Sequence, residues 1–206
     1  MGLLSYLPQP LLFLVAFAAA AFGLVVHNLA QAWLADRYGD PNPRRYGFLT
    51  LEPRVHLDPI GLLLLLLLGF GWPRFVPFRL YGRKEALVAL AGPAGFLLAS
   101  FVYLFLARLL PHGMGLFPVA QGLELAGFLM IGHAVVYLFP VPPLDGARVA
   151  RALGGSEVRR LLAQIESWGP VGFILIFLVL SYTGVLGALE RGVYGFFLRI
   201  FAILGL

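Results

Sequence analysis

From Pro10 to about Ala35 the chain is an almost unbroken apolar run, and three polar side chains, His27, Asn28 and Gln31, sit inside its far end. At about 1.5 Å per residue a helix of that length crosses a hydrocarbon core of about 30 Å. Little else is open to such a segment, because in lipid every backbone amide must find its partner within the segment itself. Polar groups at that depth are costly unless they turn to a protein interior and meet a partner, so the trio marks a buried position of functional interest. The run ends at Asp36-Arg37-Tyr38-Gly39-Asp40-Pro41, where Gly and Pro stop helix propagation. Its first half resembles a signal-peptide core without the basic start, and its continuation into a polar-marked helix reads as a retained segment.

The rest of the chain is as apolar. Of 206 residues 60% are hydrophobic and 12% charged, more apolar surface than one soluble core can hide, which makes this an integral, multi-pass membrane protein. A second span is predicted from Glu85 to Leu110, with Gly92-Pro93 permitting a kink and close helix approach, and a third from about Gln121 to Phe139, ending at Pro140-Val141-Pro142-Pro143. After a polar stretch, Leu144 to Trp168, come Val171 to Leu189 and Val193 to Leu206. The leucine-rich segment Ile60 to Phe70 is too short to span and is expected to be tilted or partly inserted. Arg44 to Pro59 mixes aromatic and β-branched residues with Gly and Pro, a pattern suited to short strands or a hairpin on the membrane surface. The expectation is one domain over residues 1–206: an all-α helical bundle of about six membrane segments with a small surface β element and no internal repeat.

The formal net charge is +5, but the basic residues fall in short loops between apolar runs, which argues for membrane orientation and against nucleic-acid binding. Arg37, Arg44, Arg45, Arg54, Arg74, Arg79, Arg83 and Lys84 flank the leucine-rich segment, and Arg148, Arg151, Arg159 and Arg160 follow the later proline run. The positive-inside rule places both clusters on the cytoplasmic side of the cytoplasmic membrane and brings His27 and Asp145 to the same depth. With no cysteine, disulfides, thiolate ligands and cysteine nucleophiles are excluded, so any metal must be held by nitrogen and oxygen.

His27 and Gln31 are four residues apart, the spacing of H-E-x-x-H, in which two histidines on one helix face bind zinc and the glutamate acts as general base. Asn28 occupies the base position, and an amide cannot take a proton from metal-bound water. Gln31 occupies the second ligand position, and a neutral amide is a poor donor to zinc. Asp145, in Pro142-Pro143-Leu144-Asp145-Gly146, supplies a distant carboxylate.

Taken in order, the His27 helix, Asn42-Pro43-Arg44-Arg45, Leu51-Glu52-Pro53, His56-Leu57-Asp58-Pro59-Ile60-Gly61, Gly71-Trp72, Ala89-Leu90-Ala91-Gly92-Pro93 and Phe139 to Arg148 resemble the site-2 protease family. These are the intramembrane zinc metalloproteases of peptidase group M50, and the resemblance covers nearly the whole chain. It implies a histidine ligand at His27, an aspartate ligand at Asp145, the general base at position 28 and a second histidine ligand at position 31. Asn28 and Gln31 depart from it. So do Phe96 and Tyr137, which stand where the family usually places asparagines that help hold the substrate strand.

A His27–Asp145 contact is expected with or without metal, Arg148 being the other candidate partner of the carboxylate. His56 and His133 are candidate substitute ligands, against which stand a backbone-capping role for His56 and a hydrogen bond to a neighbouring helix for His133. Glu124, early in the third span, is placed at the outer interface. The leading expectation is an inactive site-2 protease homologue, a pseudoprotease that keeps a binding or regulatory role. The alternatives are an active intramembrane zinc metallopeptidase with non-standard ligands and a structural subunit of a larger membrane complex. No cofactor is expected, or zinc if the site is functional; the partners are the lipid bilayer and transmembrane protein segments or a membrane complex.

Overall fold

The computed structural model describes residues 2–111 and 115–206. A 3-10 turn at Leu3–Tyr6 leads into α1 (Pro10–Arg37), followed by one-turn helices α2 (Asn42–Arg45) and α3 (Pro53–His56) and the short α4 (Pro59–Leu68). After an extended segment come α5 (Gly82–Leu109), α6 (Phe117–Tyr137), α7 (Asp145–Leu153), α8 (Ser156–Ser167), α9 (Gly169–Tyr182) and α10 (Val185–Ile203). Helices α1, α5 and α6 pack on one another and enclose a core of Leu24, Phe96, Leu104, Met130 and Ile131. Phe197 and Phe201 of α10 close one side of it against Phe101 and Phe105 of α5.

Three helices, α1, α5 and α6, are long and apolar enough to cross a membrane, or four if the bent pair Ser156–Ser167 and Val171–Tyr182 makes one span. Of the about six membrane segments expected, these three or four meet that length and composition among the described residues. The apolar stretch from Val171 to Leu189 is divided at Gly184, whose φ of +72° is left-handed backbone, and the 14 residues of α9 reach only about 21 Å. Helix α10 carries Glu190, Arg191 and Arg199. The leucine-rich segment forms the 10-residue α4, about 15 Å long, begun by Asp58 accepting from the Gly61 amide at 2.9 Å and ended by Gly69 in the left-handed region.

The expected surface β element is also absent among the described residues, apart from one isolated antiparallel bridge between Leu57 and Pro73. Proline in the first turn of both α2 and α3 presets the helical φ, and the Glu52 carboxylate caps α3 through the Arg54 amide at 3.4 Å, so local chemistry turns both pieces into helix. The segment after α4 does run extended, from Trp72 to about Leu80. Buried Asp40 holds it at one end by accepting from the Arg79 amide, and the Arg74 amide donates to the His56 carbonyl at 2.6 Å. The Arg148 guanidinium lies over the rings of Phe75 and Phe78, 4.7 and 3.7 Å from their centroids, tying α7 to the same segment.

Helix α5 meets α1 at Gly92. A Cβ there would fall 2.3 Å from His27 Nε2 and 2.6 Å from Gln31 Nε2, so only glycine allows this approach. Gly92→Ala is expected to lower unfolding stability in detergent micelles by about 1–3 kcal/mol, the usual cost of overpacking. Gly192→Ala, where an added Cβ meets open space, is expected to leave stability unchanged or slightly raised.

Candidate functional site

Pro93 lies inside α5 and has no amide hydrogen, so the carbonyl of Ala89, four residues earlier, loses its helical donor. An unpaired buried carbonyl is costly. Gln31 of α1 reaches across the gap at Gly92 and donates from Nε2 to Ala89 O at 3.3 Å. The amide at the second ligand position thus completes the backbone of the neighbouring helix.

One turn earlier on α1, Asn28 is committed in the same way. Its Nδ2 donates to Arg74 O at 2.8 Å and to His56 O at 3.4 Å, joining α1 to the extended segment and to the end of α3. That leaves Oδ1 as the acceptor facing His27 Nδ1 at 3.0 Å, so Nδ1 carries the hydrogen. The other ring nitrogen, Nε2, lies 2.8 Å from Asp145 Oδ2. Both members of that pair are buried. Asp145 opens α7, which is seated on the end of α6 so closely that a Cβ at Gly146 would fall 2.2 Å from Leu138 O. Arg148, the other candidate partner of Asp145, is stacked on the phenylalanines; burial pulls its pKa down, and Asp145 and Glu85 pull it back up.

Aromatic rings cover the histidine. Phe96 of α5 and Tyr137 of α6 lie 4.4 and 5.1 Å from the His27 ring, centroid to centroid, and 5.2 Å from each other. Phe96 is wholly buried and Tyr137 nearly so. Where the resemblance leads one to expect asparagines able to bind a substrate backbone, the site has rings packed on the imidazole.

The two candidate substitute ligands are engaged elsewhere. His133 donates from Nδ1 to Leu129 O on its own helix at 2.7 Å and accepts from the Gly71 amide at Nε2 at 3.1 Å, so its partners are its own helix and a loop, not a neighbouring helix. His56 donates from Nε2 to Thr50 O at 2.8 Å, and its buried Nδ1 finds no hydrogen-bond partner among the described residues, with Phe48 packed edge-to-face against the ring. Burial holds the His56 imidazole below its ordinary pKa, partly offset by the hydrogen bond to Thr50. Neither histidine joins His27 and Asp145 in a donor cluster: among the described residues no three His, Cys, Asp or Glu side chains come together as a metal site. Glu124 lies apart, beside Gln121 and Tyr194.

These residues do not fit a zinc centre. Zinc needs at least three protein ligands, and a tetrahedral ion would hold its nitrogen and oxygen donors about 3.3 Å apart. His27 Nε2 and Asp145 Oδ2 are at hydrogen-bond distance instead, and the Gln31 amide nitrogen donates to Ala89 O. The role of Gln31 could have been sought in the sequence, because a proline inside an apolar span always frees a carbonyl four residues back. The parts played by the Arg74 and His56 carbonyls carry no sequence signal.

Three apolar spans, with His27 of α1 facing the aspartate that opens α7, are consistent with an all-α membrane protein of the site-2 protease type. The chain is 38% identical over 164 residues to the protein of Bacillus subtilis (strain 168) named "Putative zinc metalloprotease YwhC", a match covering 74% of each. It is 31% identical over 186 residues to "Putative zinc metalloprotease Rip2" of Mycolicibacterium smegmatis (strain ATCC 700084 / mc(2)155), covering 84% of this chain and 69% of that one. The Rip2 protein of Mycobacterium tuberculosis (strain ATCC 25618 / H37Rv) is 29% identical over 192 residues, covering 85% and 73%. No family model and no solved structure matches the chain. On the strength of these relatives, the chain belongs to the site-2 protease family.

Removing one member of the buried pair leaves the other without its partner. His27→Ala is expected to cost about 3–5 kcal/mol of unfolding free energy. In a double-mutant cycle with Asp145→Ala, chemical unfolding is expected to give a coupling of about 1 kcal/mol or more, the double variant losing less than the sum of the singles.

Proposed function

We propose that this chain is a site-2 protease homologue that no longer cleaves peptides and that binds extended stretches of membrane-protein partners. The observation that carries the reading is the fate of two side chains: Asn28 and Gln31, at the base and second-ligand positions, spend their amide hydrogens on the carbonyls of Arg74, His56 and Ala89. General-base catalysis is worth about 100-fold to 10,000-fold in rate, and an amide supplies none of it.

Binding asks for less. The extended segment from Trp72 to about Leu80 has one isolated bridge as its β partner, and Phe75 on it is 68% exposed. An edge of that kind pairs with an extended peptide through backbone groups alone. The basic clusters favour an orientation with this segment and the His27 pair toward the cytoplasmic side.

The names of the relatives favour a second reading, a working zinc peptidase with unusual ligands. Metal analysis separates the two. Protein purified without chelator is expected to hold substoichiometric zinc and to leave a transmembrane peptide intact, whereas Gln31→His, by adding a second imidazole beside His27, is expected to raise zinc content. Stoichiometric zinc together with chelator-sensitive cleavage by the unaltered chain would overturn the proposal.

A further inference from the structure

Glu190 of α10 faces a cavity of about 300 Å³ between α6, α9 and α10, roofed by the end of α4. Apart from this carboxylate, Ser181 and His133, its walls are apolar, with three phenylalanines, Phe70, Phe128 and Phe177. Gly132 and Gly187 keep the space open, and the Glu190 Oε1 lies 3.2 Å from where a Cβ at Gly132 would stand. Phe128 is 41% exposed, so the cavity communicates with the outside of the helix bundle.

The carboxylate has no ion-pair partner among the described residues. No hydrogen bond engages Glu190 among the described residues either; the adjacent Arg191 acts on it through its charge, its guanidinium lying by Gly187 on the cavity wall without pairing with the carboxylate. Asp145, Asp36 and Glu166, by contrast, have cationic partners in His27, Arg44 and Arg151. Among apolar walls in a membrane protein, the charged form of a carboxylate is stabilised by a bound cation. Aromatic rings around it add attraction for a cation that is weakly hydrated and carries alkyl groups.

We propose that this cavity is a binding site for an alkylammonium group, with the Glu190 carboxylate as counter-ion and Phe70, Phe128 and Phe177 as its walls. A volume of about 300 Å³ is at the small end of ligand pockets and suits a substituted ammonium. The site is separate from the His27–Asp145 pair: His133, whose two ring nitrogens are both bonded, stands between the cavity and Phe96. Its occupancy therefore does not depend on whether the chain cleaves peptides.

The test uses the full chain in an uncharged detergent. Tetramethylammonium chloride and a short-chain phosphatidylcholine are titrated separately, with sodium chloride matched for ionic strength, and the thermal unfolding midpoint is followed. A saturable rise with either ammonium probe is expected, weakened about tenfold or more in apparent affinity by Glu190→Gln, since the counter-charge to the ammonium is lost. Glu124→Gln, which alters a carboxylate in the neighbouring cavity, is expected to leave that affinity unchanged. The probe that saturates identifies the source, a free ammonium or a lipid headgroup. No saturable rise with either probe, or a rise that persists undiminished in Glu190→Gln, overturns the proposal; the second result would mark an apolar cavity filled by alkyl chains.

Discussion

A proline without an amide hydrogen, placed inside a membrane helix, sets the terms for the arrangement around it. Pro93 frees the carbonyl of Ala89, and lipid offers nothing to satisfy it. The neighbouring helix must bring a donor within reach, which requires the two backbones to approach closely. Gly92, one residue before the proline, grants that approach, and Gln31 delivers the donor. Because α1 is rigid, fixing Gln31 also fixes Asn28 three residues earlier and His27 beside it. Their partners then follow from direction: Asn28 toward the extended segment, His27 toward Asp145.

The result is a polar cluster that closes on itself. Each donor of Asn28 meets a carbonyl, its oxygen meets the His27 ring, and the other face of that ring meets a carboxylate. A hydrogen bond left unmade at such depth costs about 1–3 kcal/mol, so a cluster of this size is tolerable only because its amides and imidazole find partners within the protein.

Much of this was legible in the sequence, and what was missed has a physical reason. The spans α1, α5 and α6 announce themselves because length and hydrophobicity alone decide them. The pairing of His27 with Asp145 follows from the cost of burying either alone. The stretch Arg44 to Pro59 misled because β-branched and aromatic residues suggest strand, while proline at the start of a turn, with Glu52 capping one of them, dictates helix. The count of spans is harder to read at Gly184, where a single left-handed residue divides an apolar stretch that hydropathy reads as continuous. Least legible were the carbonyls of Arg74 and His56, because every residue has one and only the folded chain shows which lie near Asn28.

Phe96 and Tyr137 complete the argument about the cluster. Hydrolysis needs water next to the metal, and a peptide held beside it needs polar side chains to grip its backbone. Rings 4.4 and 5.1 Å from the His27 imidazole occupy that space with carbon and shield the pair from solvent. A dry surround strengthens the His27–Asp145 attraction and makes an unpaired state of either residue more costly. The aromatic residues at 96 and 137 and the amides at 28 and 31 are therefore consistent with one another. The amides engage the buried carbonyls of Ala89, Arg74 and His56, and the rings pack against the imidazole between them.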